Sequence, residues 1–176
     1  TEEVVKLAPK IGAWASGGNV NTARRQSAGA GTQTAGIVFG GYGPAFSNAT
    51  EEYNGLGWTA GGNLSAVKRN LGGAGTQTAG LGFGGRGPDA DTVSTEEYGG
   101  ASWTAGGNMA TARQALAGAG IQTAGLGIGG YVTGTGFINT SEEYDGSSWT
   151  AGGNLTAATG ALAAAGIQTA GLAFGG

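Results

Sequence analysis

The stretch TEEYGGASWTAGGNMATARQALAGAGIQTAGLGIGG, residues 95–130, sets a pattern that this chain carries three times with substitutions. It recurs at 50–85 and at 141–176 with the same order of markers, and a fourth, altered copy opens the sequence. Trp14, Trp58, Trp103 and Trp149 are 44, 45 and 46 residues apart. Gln33, Gln77, Gln122 and Gln168 repeat those spacings, as do the glycine pairs Gly40-Gly41, Gly84-Gly85, Gly129-Gly130 and Gly175-Gly176. Three markers in one register establish a tandem repeat of about 45 residues, which decides the architecture before any local propensity is weighed.

The drift in spacing has one source. Nine residues separate Gly41 from Glu51, ten separate Gly85 from Glu96, and eleven separate Gly130 from Glu142. Insertions confined to one connection mark a surface loop between fixed strands. The first unit differs at its start: Glu3 lies 11 residues before Trp14, where Glu52 lies 6 before Trp58, and the tyrosine is missing.

Each unit offers four short strands bounded by Gly-rich turns, in the second at 51–54, 58–60, 72–76 and 80–83. No segment has a helical period, and 41 glycines oppose helix throughout. The expectation is an all-β chain of about sixteen strands: one small β-propeller domain over 1–176, with four blades of four antiparallel strands from units at about 1–45, 46–90, 91–136 and 137–176. The N- and C-terminal strands would join to close the ring and remove free edges. A half-ring that pairs with a second copy to make eight blades is the alternative.

The order of the unit resembles a kelch repeat: an apolar strand ending in Gly-Gly, a Glu-Glu-Tyr-Asp strand (Glu142 to Asp145), Trp149, then a turn leading to Arg (Arg113 in its unit) and the next strand. The resemblance covers nearly the whole chain. It implies a blade with the Ala-Gly strand innermost, the Gly-Gly strand second, the Tyr strand third and the Trp strand outermost. Small residues such as Ala117-Gly118-Ala119-Gly120 suit close approach at a central axis. The chain departs from the family where Arg24, Lys68 and Arg113 are followed in the last unit by Thr159. Copper oxidases on this scaffold use Tyr, Cys and His, and this chain has no Cys and no His. The Ala-Gly-Thr-Gln-Thr-Ala-Gly segment is also similar to repeats in predicted environmental phage proteins with suspected tail-fibre or virion roles. That implies a virion or extracellular location.

Composition narrows the function. Without Cys or His, thiolate chemistry, disulfides, the commonest general base and the commonest metal ligand are missing. Net charge is −3 and the basic residues form no block, which argues against a nucleic-acid partner. No run approaches the 18 apolar residues of a spanning helix, so membrane insertion is not expected. The glutamate pairs 51-52, 96-97 and 142-143 lie on strands, where neighbours face opposite ways, so neither pair member can join the other at one reacting atom. They read as structural ion-pairing groups. Asp89 and Asp91 are the one carboxylate pair that raises calcium. The Gln and Gly-Gly-Asn series read as turn chemistry. Asn48, Asn63, Asn139 and Asn154 begin N-glycan acceptor patterns.

What remains is a rim. Antiparallel order puts the variable loop and the Trp-to-inner-strand loop at the same end of the sheets. Tyr42, Phe46, Arg86, Tyr131 and Phe137 sit there, with Arg24, Lys68 and Arg113 expected nearby. Aromatic and Arg side chains on one rim suit recognition of a protein or carbohydrate; the structural reading is that the loops fill space and Arg bonds loop carbonyls. The expected protein is therefore a binding module with no catalytic residues, no metal and no cofactor. The other reading is an assembly protein whose propellers stack or form homo-oligomers.

Overall fold

A computed structural model of the chain describes residues 16–176. Three sheets repeat one pattern. The first holds β1 (Ala28–Thr32), β2 (Ala35–Phe39), β3 (Thr50–Tyr53) and β4 (Trp58–Ala60), in that spatial order. The second holds β5 (Gly72–Gly75), β6 (Gly80–Phe83), β7 (Thr95–Tyr98) and β8 (Trp103–Ala105). The third holds β9 (Ala117–Ile121), β10 (Ala124–Ile128), β13 (Ser141–Tyr144) and β14 (Trp149–Ala151). Between β10 and β13 the longest variable loop forms its own hairpin, β11 (Tyr131–Val132) with β12 (Gly136–Phe137). All pairings are antiparallel, and registers match from sheet to sheet: Tyr53 faces Trp58, Tyr98 faces Trp103 and Tyr144 faces Trp149.

The last unit contributes only β15 (Ala163–Ile167) and β16 (Ala170–Phe174). This corrects the expectation of four four-stranded blades in a closed ring. Among the described residues there are three four-stranded sheets, the two-stranded β15–β16 sheet and the two-stranded loop hairpin β11–β12, and no closed ring. The sixteen strands match the expected number only because the loop hairpin adds two. The segment expected to close the ring, at 1–15, lies outside the described residues.

The repeating Gly-Gly has a backbone cause. Gly84 and Gly85 both have positive φ (59° and 98°), and Gly40-Gly41 and Gly129-Gly130 repeat this. Glycine adopts two successive φ values in that region without the steric cost a Cβ would bring. The bend brings the Gly85 N–H to the Arg113 carbonyl (2.8 Å), so each pair ties its sheet to the next unit.

The inner strands surround a funnel of about 360 Å³ lined from all four units, including Ala28, Gly72, Ala117 and Ala163. A Cβ on Gly118 would stand 2.4 Å from the Gly73 carbonyl, so only glycine permits this approach. At one mouth of the funnel Gln26, Asn70, Ala115 and Ala161 all have positive φ. Their backbones link in series: Asn70 N–H donates to Gln26 O, Ala115 to Asn70 and Ala161 to Ala115, each at 2.8 Å.

The core lies between sheets. Ile37, Phe39, Leu64 and Leu71 pack with Tyr98 and Trp103 of the next unit. Leu81, Phe83, Met109 and Leu116 pack with Tyr144 and Trp149 in the same way. Burying each large side chain stabilises by roughly 1.5–3 kcal/mol. Phe39 and Phe83 are fully buried, whereas their counterpart Phe174 is 51% exposed.

Candidate binding rim

The conserved-looking cations of the repeat point inward. Arg24 pairs with Glu51, Lys68 with Glu96 (2.8 Å) and Arg113 with Glu142. Lys68 and Arg113 are fully buried. Each sits on the segment that crosses from one sheet's outer strand to the next inner strand. Arg113 also donates to the Gly129 carbonyl (3.1 Å) and the Thr140 carbonyl (2.9 Å), and Arg24 to the Ala49 carbonyl (3.0 Å). Glu142 in turn accepts the Ala110 N–H at 2.7 Å. These three cations clamp the variable loop to its sheet and are not presented to a partner, which removes them from the expected rim set.

The second glutamate of each pair faces the other way. The Tyr98 hydroxyl donates to Glu52, and the Tyr144 hydroxyl to Glu97 (2.6 Å), both across a unit boundary. Burial first, and then the bond to the carboxylate, push both phenols up to about 12. The glutamines staple the same boundaries: Gln122 donates to the carbonyls of Gly80 (3.0 Å) and Tyr98 (2.9 Å). Gln77 and Gln168 repeat that geometry. The asparagines of Gly-Gly-Asn behave differently from expectation. Asn63, Asn108 and Asn154 stand exposed, and among the described residues no backbone bond from them is seen. Asn48 and Asn139 instead donate to the carbonyls of Leu64 (3.0 Å) and Leu155 (3.1 Å). On the opposite rim Asp145 accepts bonds from the N–H groups of Ser147 and Ser148, which hold its carboxyl down to about 2.

The rim itself is a set of equivalent positions filled by different chemistry. Arg25 bridges Tyr42, which bridges Phe46; Arg69 bridges Arg86, which bridges Asp91; Gln114 bridges Tyr131, which pairs with Phe137. The third member of each trio leans on the first member of the next. Phe46 lies 5.0 Å from the Arg69 guanidinium, Asp91 accepts from Gln114 (3.0 Å), and the Phe137 ring lies against Gly160. Tyr42–Phe46 and Tyr131–Phe137 form edge-to-face pairs at 5.3 and 5.4 Å. Phe137 is 56% exposed.

The structure thus brings Tyr42, Phe46, Arg86, Tyr131 and Phe137 to one rim and adds Arg25, Arg69, Asp91 and Gln114. The signal that could have found Arg25 and Arg69 is adjacency. Arg24-Arg25 and Lys68-Arg69 are extended pairs, so one member faces in and the other out. Asp91 is engaged by Arg86 (3.1 Å), Gln114 and the Thr133 N–H (2.8 Å), while Asp89 is exposed. Among the described residues no three carboxylates converge on a metal position.

No family model and no curated protein matches the chain. Among solved structures, that of YjhT matches with a TM-score of 0.66 at 14% identity, over 78% of this chain and 48% of that one. The chain thus spans about half the length of YjhT, and at this identity the likeness speaks to fold alone: the described residues have a β-propeller-like, all-β fold.

Proposed function

We propose that this is a kelch-like propeller module without catalytic activity, which recognises a glycan or protein through the rim built on Tyr42, Phe46, Arg86, Tyr131 and Phe137, on a virion fibre or another extracellular surface. The observation that carries this reading is where the units differ. Buried sheet positions repeat with like residues, while the rim trios, half-buried apart from the exposed Arg25 and Phe137, read Arg-Tyr-Phe, Arg-Arg-Asp and Gln-Tyr-Phe. A passive spacer has no need to vary both the length and the aromatic and charged content of one rim loop. The glutamates support a non-catalytic role, since they are held in ion pairs and tyrosine bonds. The test is a screen of immobilised glycans and candidate surface proteins, repeated with Tyr131→Ser/Phe137→Ser. A ligand lost by the double variant, with its melting curve intact, supports the reading; a ligand held equally well overturns it.

We also propose that residues 1–15 complete the fourth blade and close the ring. Trp103 contacts Thr50, Phe39 and the Gly82 position, and Trp149 contacts Thr95, Phe83 and the Gly127 position. The equivalent residues of the last boundary, Ser141, Ile128 and Ala173, line a cavity of about 140 Å³ together with Leu126, Leu155 and Gly171. Trp14 has the register to fill it. The exposure of Leu172 and Phe174 also suits a second copy covering the same edge, which is the assembly reading. Sedimentation separates the two, since a monomer at low concentration supports self-closure and an obligate dimer supports assembly.

A further inference from the structure

Ion pairing leaves a remainder at one place. Six of the eight Lys and Arg residues fall within the described part of the chain. Four of them are paired: Arg24, Lys68, Arg86 and Arg113. The two left, Arg25 and Arg69, both lie over the ring of Tyr42, each with its guanidinium carbon 5.1 Å from the centroid. Among the described residues neither has a carboxylate partner. The nearby acids are committed elsewhere: Glu51 to Arg24 and the Asn21 N–H, Asp91 to Arg86, Gln114 and the Thr133 N–H.

Two uncompensated guanidinium groups held against one ring concentrate positive charge there, which a bound anion offsets. The pair is also held in place. Arg25 and Tyr42 exchange two backbone bonds of 2.9 and 2.8 Å, Arg69 and Arg86 exchange two of 3.0 and 2.8 Å, and Arg69 donates to the Gln26 side-chain oxygen (3.2 Å). The Arg69 Nε is shielded from solvent and has no acceptor among the described residues. A guanidinium stacked on an aromatic face still offers in-plane N–H groups in the fork that matches a carboxylate.

The surroundings are concave. Gln26 and Asn70, the sequence neighbours of Arg25 and Arg69, line the axial funnel of about 360 Å³, and a second depression of about 270 Å³ is lined by Ala23, Arg24, Arg25, Tyr42, Gly43 and Pro44. Such hollows fit a few sugar rings better than a flat protein surface, and Tyr42 and Phe46 offer apolar ring area beside the charges. Resting on the reading of this rim as a binding surface, we propose that Arg25 and Arg69, gathered on Tyr42 at the lip of the funnel, bind the carboxylate of an acidic, uronic-type saccharide.

The test is calorimetric titration of the whole chain with a trimer of galacturonic acid, its methyl ester and a tetraglutamate peptide. The expected result is binding of the free acid, weakened about tenfold or more by esterification and by either Arg25→Gln or Arg69→Gln. Arg25→Lys/Arg69→Lys should recover part of the loss, because charge is kept and the fork is not. Affinity should also fall as salt is raised. Equal binding of acid and ester, preference for the peptide, no binding of the acid, or Arg→Gln variants that bind as the parent does would each overturn the proposal. A neutral ligand lost in Tyr131→Ser/Phe137→Ser but held by the Arg→Gln variants would sink this inference alone and leave the rim reading standing.

Discussion

The indole N–H of Trp103 donates to the hydroxyl of Thr50 across a unit boundary (2.9 Å), and Trp149 makes the same bond to Thr95 (2.8 Å). The Trp103 ring also packs on Phe39 (4.7 Å between centroids) from the preceding unit. Trp103→Ala should therefore destabilise by about 3–5 kcal/mol in urea denaturation. Thr50→Val, which removes only the acceptor, should cost about 1–3 kcal/mol. If Trp14 closes the ring, Trp14→Ala should match Trp103→Ala, and a midpoint unchanged by Trp14→Ala would count against closure.

Arg113→Met strands the Glu142 carboxylate inside the third sheet. Breaking a buried pair from one side should cost about 3–5 kcal/mol. Because both partners are out of water, the loss should persist in about 0.5 M salt, where exposed pairs are screened. A loss that vanishes on adding salt would show the pair to be solvated.

Alkaline pH should weaken the boundaries. Tyr98 and Tyr144 are raised from 10.0 to about 12, so the folded state holds their protons where the unfolded chain has released them. Their contribution is complete below pH 10 and is lost as pH rises through 12. Urea midpoints measured against pH should fall across that window, and Tyr98→Phe/Tyr144→Phe should flatten the fall. A parent profile as flat as the variant's would contradict this.

Ala115 adopts φ 53° at the funnel mouth, a conformation that costs an ordinary L-residue roughly 1–2 kcal/mol. Ala115→Gly relieves that strain and gives back part of it through the freer unfolded chain. The net expectation is a gain of about 0.5–1 kcal/mol, read as a higher thermal midpoint. A lower midpoint would mean the Cβ packing at the mouth outweighs the strain.

Strand positions were legible because the markers sit at their ends. Trp58 and Ala60 bound β4 as expected, Gly80 and Phe83 bound β6, β3 shifts by one residue and β5 ends one residue sooner. The facing of Glu51 against Glu52 followed from strand alternation alone. Alternation could not say which of Arg24 and Arg25 turns inward, because that depends on a glutamate 27 positions away in another strand. The roles of Gln77 and Gln122 were equally hidden, since their partners are carbonyls of the preceding unit, which every residue type supplies. Blade completeness was not legible: repeat count says how many units the chain encodes, while sheet completion depends on which strands each unit lends, and among the described residues the last unit lends only β15 and β16.

The side-chain staples of Gln, Tyr and Trp between units run in one direction. Gln77 and Gln122, Tyr98 and Tyr144, and Trp103 and Trp149 each reach back to the carbonyl, glutamate and threonine of the unit before. Every complete boundary is thus the same joint, made by the same pairs of residues. Unequal crossover within the gene could then delete, duplicate or reorder a whole unit and still leave each junction a familiar one. The loops would be shuffled as cassettes, so that new rims arise by recombination without waiting for a new fold.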